Sequence, residues 1–295
     1  MTESKKGQLK RGVSVYSYSD LFGVSMTLED CFKDIYDMGG TCIEILPSHI
    51  ENYPNPSTQW VDNWFQLCEK YKIEPAEYGH WYDTRIYKGR NSDVDESIEK
   101  IVCDFKIAHL LGFKVLRTKL TTINEICDPI PGWEKYVEKA LPYAEKYDVR
   151  MCSEVHRPTP LTAQHIYDYL EFIQKTGTKH FGFNVDFGTF QNKFPEYAVR
   201  KEMGMYQPMG VEPSKPSDIL PVLPYTYCCH AKFNYMDENF EEVTIPYKEV
   251  IQIMVDNDWN GYLVSEYEGY KKDEPDFLFD QLRRQHIMMK RIIGY

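Results

Sequence analysis

Eight short apolar runs, each followed by a longer amphipathic segment, constrain this chain more than any other feature. The runs are "GVSVYSY" from Gly12, "TCIEIL" from Thr41, "IEPAEYG" from Ile73 and "KVLRTK" from Lys114. They continue with "VRMCSEV" from Val149, "FGFNVDFG" from Phe181, "YTYCCHAKF" from Tyr225 and "GYLVSEYEG" from Gly261. Helical patterns lie between them. "TLEDCFKDIYDMGG" opens on Thr27 as N-cap and stops at Gly39-Gly40, "SDVDESIEKIVCDFKIAHLLG" runs from Ser92 to Gly112, and a third starts at Pro246. Strands and helices alternating eight times at this spacing predict an α/β fold, a parallel sheet closed as a (β/α)8 TIM barrel. An open doubly wound sheet is the competing topology, but no GxGxxG follows the first run, which removes the usual dinucleotide-binding reason for it.

A chain of 295 residues can bury a large core. We expect one domain over residues 1–295, with the Pro-, Met- and charge-rich stretch 192–216 inserted over the barrel mouth. The net charge of −11, without a basic run, argues against a nucleic-acid partner. The polar start "MTESKKGQLKRG" lacks the apolar core of a secretion signal, and no run approaches the roughly 20 residues that span a bilayer. No CxxC occurs among the eight cysteines. They read as reduced, mostly buried thiols of a cytoplasmic protein.

In a βα barrel the site is built from polar residues at the C-terminal ends of strands. The last four runs end in Glu154, Asp186, His230 and Glu266, all metal-ligand types. Parity supports the set, because side chains alternate along a strand. Cys152, Glu154 and His156 share one face; Cys228, His230 and Lys232 another; Val264, Glu266 and Glu268 a third. Three carboxylates converging in a low-dielectric mouth repel one another unless a cation neutralises them. An oxygen-rich set with one imidazole suits a divalent ion, Mn²⁺ first, with Mg²⁺ or Co²⁺ as alternatives and Zn²⁺ less favoured.

"SEVHRP", "NVDFG", "CCHAKF" and "SEYEG" resemble the metal motifs of the sugar-phosphate isomerase/epimerase superfamily, the xylose-isomerase-like barrels that include ketose 3-epimerases and endonuclease IV. The resemblance implies Glu154, Asp186, His230 and Glu266 as ligands of one divalent ion, and in the epimerases two metal-bound glutamates exchange a proton with substrate. Glu154 and Glu266 are available for that role here. Endonuclease IV fits poorly, since its zinc cluster needs more strand-end histidines and DNA suits an acidic chain badly.

Histidine at position 156, two beyond the first glutamate, departs from the epimerase pattern. Its ordinary pKa of about 6.5 makes it a competent base near neutrality; the bland alternative is a surface histidine capping the next helix or bonding Arg157. Glu-x-His together with "GHWYDTR" after the third run and "CCHAKF" resembles the α subunit of bacterial C-glycoside deglycosidases. That resemblance implies a 3-oxo-C-glycoside or keto-sugar substrate, a base removing the C2 proton (His156), a metal at the enolate oxygen, and a small β subunit within a higher oligomer. Lys232, Glu268, His80 and Trp81 are then substrate contacts, and Tyr87, Trp60 and "KEMGMYQPM" candidates for an aryl pocket. Arg117 and Lys119 face substrate or pair with Glu44 and Glu74. A divalent-metal sugar isomerase or epimerase is the second reading, and a non-catalytic sugar-binding barrel the third.

Overall fold

The structure, a computed structural model, describes residues 9–80, 92–120, 127–193 and 210–294. Eight parallel strands close in chain order: β1 (Lys10–Ser14), β2 (Cys42–Ile45), β3 (Glu74–Gly79), β4 (Val115–Thr118), β5 (Arg150–Val155), β6 (Phe181–Asp186), β7 (Thr226–Phe233) and β8 (Tyr262–Tyr267), with β8 pairing back onto β1. Helices α1 (Leu28–Asp37), α2 (Thr58–Tyr71), α3 (Val94–Leu110), α4 (Trp133–Tyr147), α5 (Gln164–Thr176), α6 (Tyr247–Asp256) and α7 (Pro275–Ile293) connect them. No helix among the described residues is long and apolar enough to cross a membrane.

Local chemistry explains the element ends. Thr27 caps α1 in a reciprocal capping box with Asp30, and Asp93 rather than Ser92 does the same for α3 with Glu96. The first run divides: β1 stops at Ser14, whose hydroxyl accepts the Tyr16 N–H at 3.3 Å, and Val15–Tyr18 becomes a 3₁₀ turn. The eight cysteines are free, and six of them are buried.

Two layers fill the barrel. The lower is apolar: Cys42, Ala76, Val115, Cys152, Cys228 and Val264 pack together. In the next turn up, the same faces of β2, β4, β5, β7 and β8 carry Glu44, Arg117, Glu154, His230 and Glu266. Strand β3 joins them through a bulge. Cys42 pairs with Glu74, but Glu44 pairs with Glu77, so the extra residue re-aims Glu77 into the barrel. A register shift on β6 before Asn184 accompanies it, and Asn184 donates to Glu77 at 2.6 Å. Of the segment expected over the mouth, 194–209 lie outside the described residues. Its far end is tied down where Ser214 meets the Leu161 N–H at 2.8 Å and Thr189 at 2.9 Å.

Candidate metal centre

His230 stands at the middle of β7, fully buried, with acid on both sides of its ring. Nδ1 lies 3.1 Å from Glu154 Oε1 and 3.5 Å from Glu266 Oε2, while Nε2 lies 3.2 Å from Glu44 Oε2 and 3.5 Å from Glu77 Oε1. None of these approaches is a well-aligned hydrogen bond, and both ring nitrogens lack one. Asp186 closes β6 and caps the turn after it, Oδ1 accepting the Gly188 N–H at 2.6 Å. A Cβ at residue 188 would meet that oxygen at 2.6 Å, which is why "NVDFG" carries glycine there. Asp186 Oδ2 is buried without a hydrogen-bond partner. One donor atom from each of Glu154, Asp186, His230 and Glu266 lies within 4.8 Å of the others.

This donor set fits a divalent cation. Two of its atoms, Asp186 Oδ2 and His230 Nδ1, are buried and without a well-formed hydrogen bond, and three carboxylates with one imidazole match a hard to borderline dication. The electrostatics agree. Burial holds Asp186 well above the usual carboxylate range; Lys232 offsets part of this, and repulsion from Glu266 and Glu154 raises it further. Burial opposes the charge on His230, yet Glu266 and Glu44 outweigh it and push its pKa well up. A cation-free cluster therefore draws protons, the relief a bound metal would supply instead.

Burial also works against ionised Glu154, but Arg117 and His230 prevail and hold it well below the ordinary value. For Glu266, burial is outweighed by His230 and Lys232, and the carboxyl falls to about 2. Arg117, for which the sequence allows either a substrate-facing or an internal pairing role, takes the internal one. It is buried, and it donates to Glu154 Oε2 at 2.9 Å and to Glu44 Oε1 at 3.0 Å, with Glu77 Oε1 at 3.2 Å. Glu74, the other expected partner, instead pairs with Lys10 at 2.6 Å at the opposite end of its strand. Alternation from Glu74 would have placed Glu77 outside; only the bulge brings it in.

His156 follows β5 directly. Its Nδ1 lies 2.6 Å from the Arg157 carbonyl oxygen, an acceptor only, so Nδ1 carries the proton and Nε2 is the lone-pair nitrogen, 3.2 Å from Lys119 Nζ. The bland alternative's bond to Arg157 is present, made to the backbone carbonyl, and Nε2 keeps the ring's lone pair, turned to Lys119. Burial lowers the His156 pKa; Glu154 raises it, and Lys119 and Lys232 lower it further. Lys232 pairs with Glu268 at 2.6 Å and reaches Asp186 Oδ2 at 3.9 Å, so both expected contacts border the cluster.

His80 is placed differently. It shares the strand face of Tyr78 and turns away from the barrel axis toward α3, where Nδ1 meets Asp104 at 2.8 Å beside the hydroxyls of Tyr53 and Tyr78. The alternation that aims Gly79 inward aims His80 outward. Trp60 stacks on Trp64 of α2, centroids 6.2 Å apart, and belongs to the outer helical layer rather than an aryl pocket. Trp81, Tyr87 and "KEMGMYQPM" lie outside the described residues.

A closed eight-stranded barrel with acids and histidine gathered at its upper end defines a class, and the chain belongs to it. The xylose isomerase-like TIM barrel family matches residues 32–287. Among characterised relatives, the chain is similar to the 3'-dehydrocarminate deglycosidase alpha subunit of a Microbacterium species, 23% identical over 96% of this chain and 95% of that protein. It is similar also to the C-glycoside deglycosidase alpha subunit of Arthrobacter globiformis, 24% identical over 99% and 95%. Its fold superposes on D-psicose 3-epimerase crystallised with D-fructose at a TM-score of 0.64 and 13% identity, covering 97% and 100% of the two chains.

Proposed function

We propose that the protein is a metal-dependent carbon–carbon lyase, cleaving 3-oxo-C-glycosides by β-elimination together with a smaller partner chain. The observation that carries this reading is the contrast between Glu154 and His156. Arg117 takes one oxygen of Glu154 at 2.9 Å and His230 crowds the other at 3.1 Å. A carboxylate so engaged is a poor acceptor for a proton from carbon. Two residues on, His156 has its Nδ1–H fixed by Arg157, and its Nε2 accepts from the Lys119 ammonium at 3.2 Å, a contact that substrate must displace before Nε2 takes a proton. The imidazole is thus the base of the site.

Glu154, Asp186, His230 and Glu266 would hold a divalent ion, which would supply Lewis acidity toward the substrate carbonyl. His156 Nε2 takes the C2 proton, made acidic by the ketone at C3. The electron pair of that C–H bond passes through the carbonyl system and returns as the C1=C2 double bond while the C1–aryl bond breaks. Its electrons leave with the aglycone carbon, which takes up the proton carried by the His156 imidazolium, so an aglycone and an unsaturated keto-sugar result and the base is regenerated. Lys119 keeps Nε2 unprotonated in the resting site by donating to it. Lys232, steadied by Glu268, is placed to hold a sugar hydroxyl. Similarity to two deglycosidase alpha subunits over nearly the whole chain supports both the substrate class and the partner chain.

The test uses the chain loaded with Mn²⁺, with its small partner subunit, and a 3-oxo-C-glycoside. Free aglycone is expected; no aglycone, with epimerisation of a simple ketose instead, selects the isomerase/epimerase reading. His156→Ala should retain the metal by elemental analysis while turnover falls about 10²- to 10⁴-fold. Loss of both together would make His156 structural or a ligand. A wild-type chain that takes up no stoichiometric metal would leave the sugar-binding barrel.

A further inference from the structure

The lower side of His230 is occupied by groups that the reaction does not use. A neutral imidazole has one N–H and one lone pair, and both edges of this ring face carboxylates. With a cation on the Nδ1 side, the proton belongs on Nε2, where two acceptors compete. Glu77 Oε1 already accepts from Asn184 at 2.6 Å and lies 3.2 Å from Arg117 Nε. Glu44 divides its labour: Oε1 takes Arg117 at 3.0 Å, while Oε2, 3.2 Å from Nε2, makes no well-formed hydrogen bond. We propose that Glu44 is a positioning residue of the metal centre, taking the Nε2–H of His230 so that Nδ1 is left as the lone-pair donor facing Glu154, Asp186 and Glu266.

This rests on the reading of those four residues as a metal site. Three features of the scaffold support it. Arg117 holds Glu44 with one arm and Glu154 with another, so one guanidinium fixes both flanks of the ring. Gly79 clears the space for that pair, since a Cβ there would meet Arg117 Nη2 at 2.5 Å and Glu44 Oε1 at 2.6 Å. A carboxylate behind a ligating histidine is also the general means of setting its tautomer and raising its basicity. The rival use of Glu44, Glu77 and His230, as a second cation site of their own, would require an ion where Arg117 already supplies the positive charge.

The decisive measurement is Mn²⁺ titration calorimetry on the full-length, metal-stripped chain, wild type against Glu44→Gln. One ion per wild-type chain is expected, with affinity about 10- to 100-fold weaker in the variant. In parallel, side-chain ¹⁵N–¹H correlation spectra of wild type with diamagnetic Zn²⁺ report the tautomer directly, which a merely structural role for Glu44 would not predict. Protonated Nε2 with metal-shifted Nδ1 is expected, and this arm stands even if the variant fails to fold. Equal affinities, an Nδ1-protonated ring, or a second Mn²⁺ per chain that Glu44→Gln removes would each overturn the positioning role. Wild type taking up no ion would overturn the metal reading with it, whereas equal affinities leave that reading intact.

Discussion

The two halves of the barrel carry similar residues for different ends. On β5 to β8 the strand-end side chains Glu154, Asp186, His230 and Glu266 point donor atoms at one another, and Asp186 Oδ2 has no hydrogen-bond partner. On β2 to β4, Glu44 and Glu77 are just as buried, but Arg117 lies between them as a fixed internal cation. The difference is one guanidinium. Where a guanidinium lies between them, buried acids form a scaffold; where Arg117 reaches only Glu154 and Lys232 stands 3.9 Å from Asp186, they keep donor atoms that could hold a metal ion. His230 is the hinge of the comparison, with one nitrogen facing each half.

That contrast can be broken by exchanging the charges. Arg117→Ala leaves Glu44, Glu77 and Glu154 buried without their counter-ion, and we expect a loss of about 3–5 kcal/mol by denaturant titration. The matching change in the other half, Asp186→Asn, should abolish Mn²⁺ uptake by elemental analysis. Yet the metal-free variant should melt no lower than metal-free wild type, because a carboxylate pushed up by burial and repulsion is a charge the empty site is better without. A large stability loss there would end the distinction between scaffold and site.

Smaller effects sharpen it. Gly79→Ala forces a Cβ onto the Arg117–Glu44 pair, so about 1–3 kcal/mol of stability should go, with a drop in Mn²⁺ affinity although no ligand is touched. The smallest is a pH effect outside the barrel interior. Burial lowers the His286 pKa to about 3, Arg11 assisting, while Nδ1 accepts from Arg11 and Nε2 bonds the Ser265 hydroxyl, each at 3.1 Å. Its folded pKa lies below the unfolded value near 6.5, so the unfolded chain binds the extra proton. Stability is therefore complete above about pH 6.5 and declines as pH falls, by up to about 1.4 kcal/mol per unit for this group. Melting temperatures between pH 7 and 5 should show this slope, and His286→Gln should flatten it.

The legibility of the chain follows the same division. Each ligand-half residue ends an apolar run, and alternation within β5, β7 and β8 was enough to group them. The scaffold half is legible only in part. Glu44 is among the partners the sequence offers Arg117, and that pair forms; Glu77 is the one missed, because strict alternation from Glu74 sends it to the wrong face and a one-residue bulge opposite Glu44 reverses it. His80 follows a strand as a mouth residue does, but its side chain points toward Asp104, a direction the lone sequence does not reveal. A lone strand carries no mark of a bulge that only its neighbour's register creates.

The sequence by itself determined the barrel, since eight apolar runs joined by amphipathic helices have few other ways to bury both faces of a parallel sheet. It also determined which side chains stand at the mouth of the last four strands. Tertiary structure decided what those groups are worth to one another. Whether a buried acid serves as ligand, counter-ion or base depends on the charge a few ångströms away, and those neighbours come from strands as far apart in the chain as Glu44 and His230.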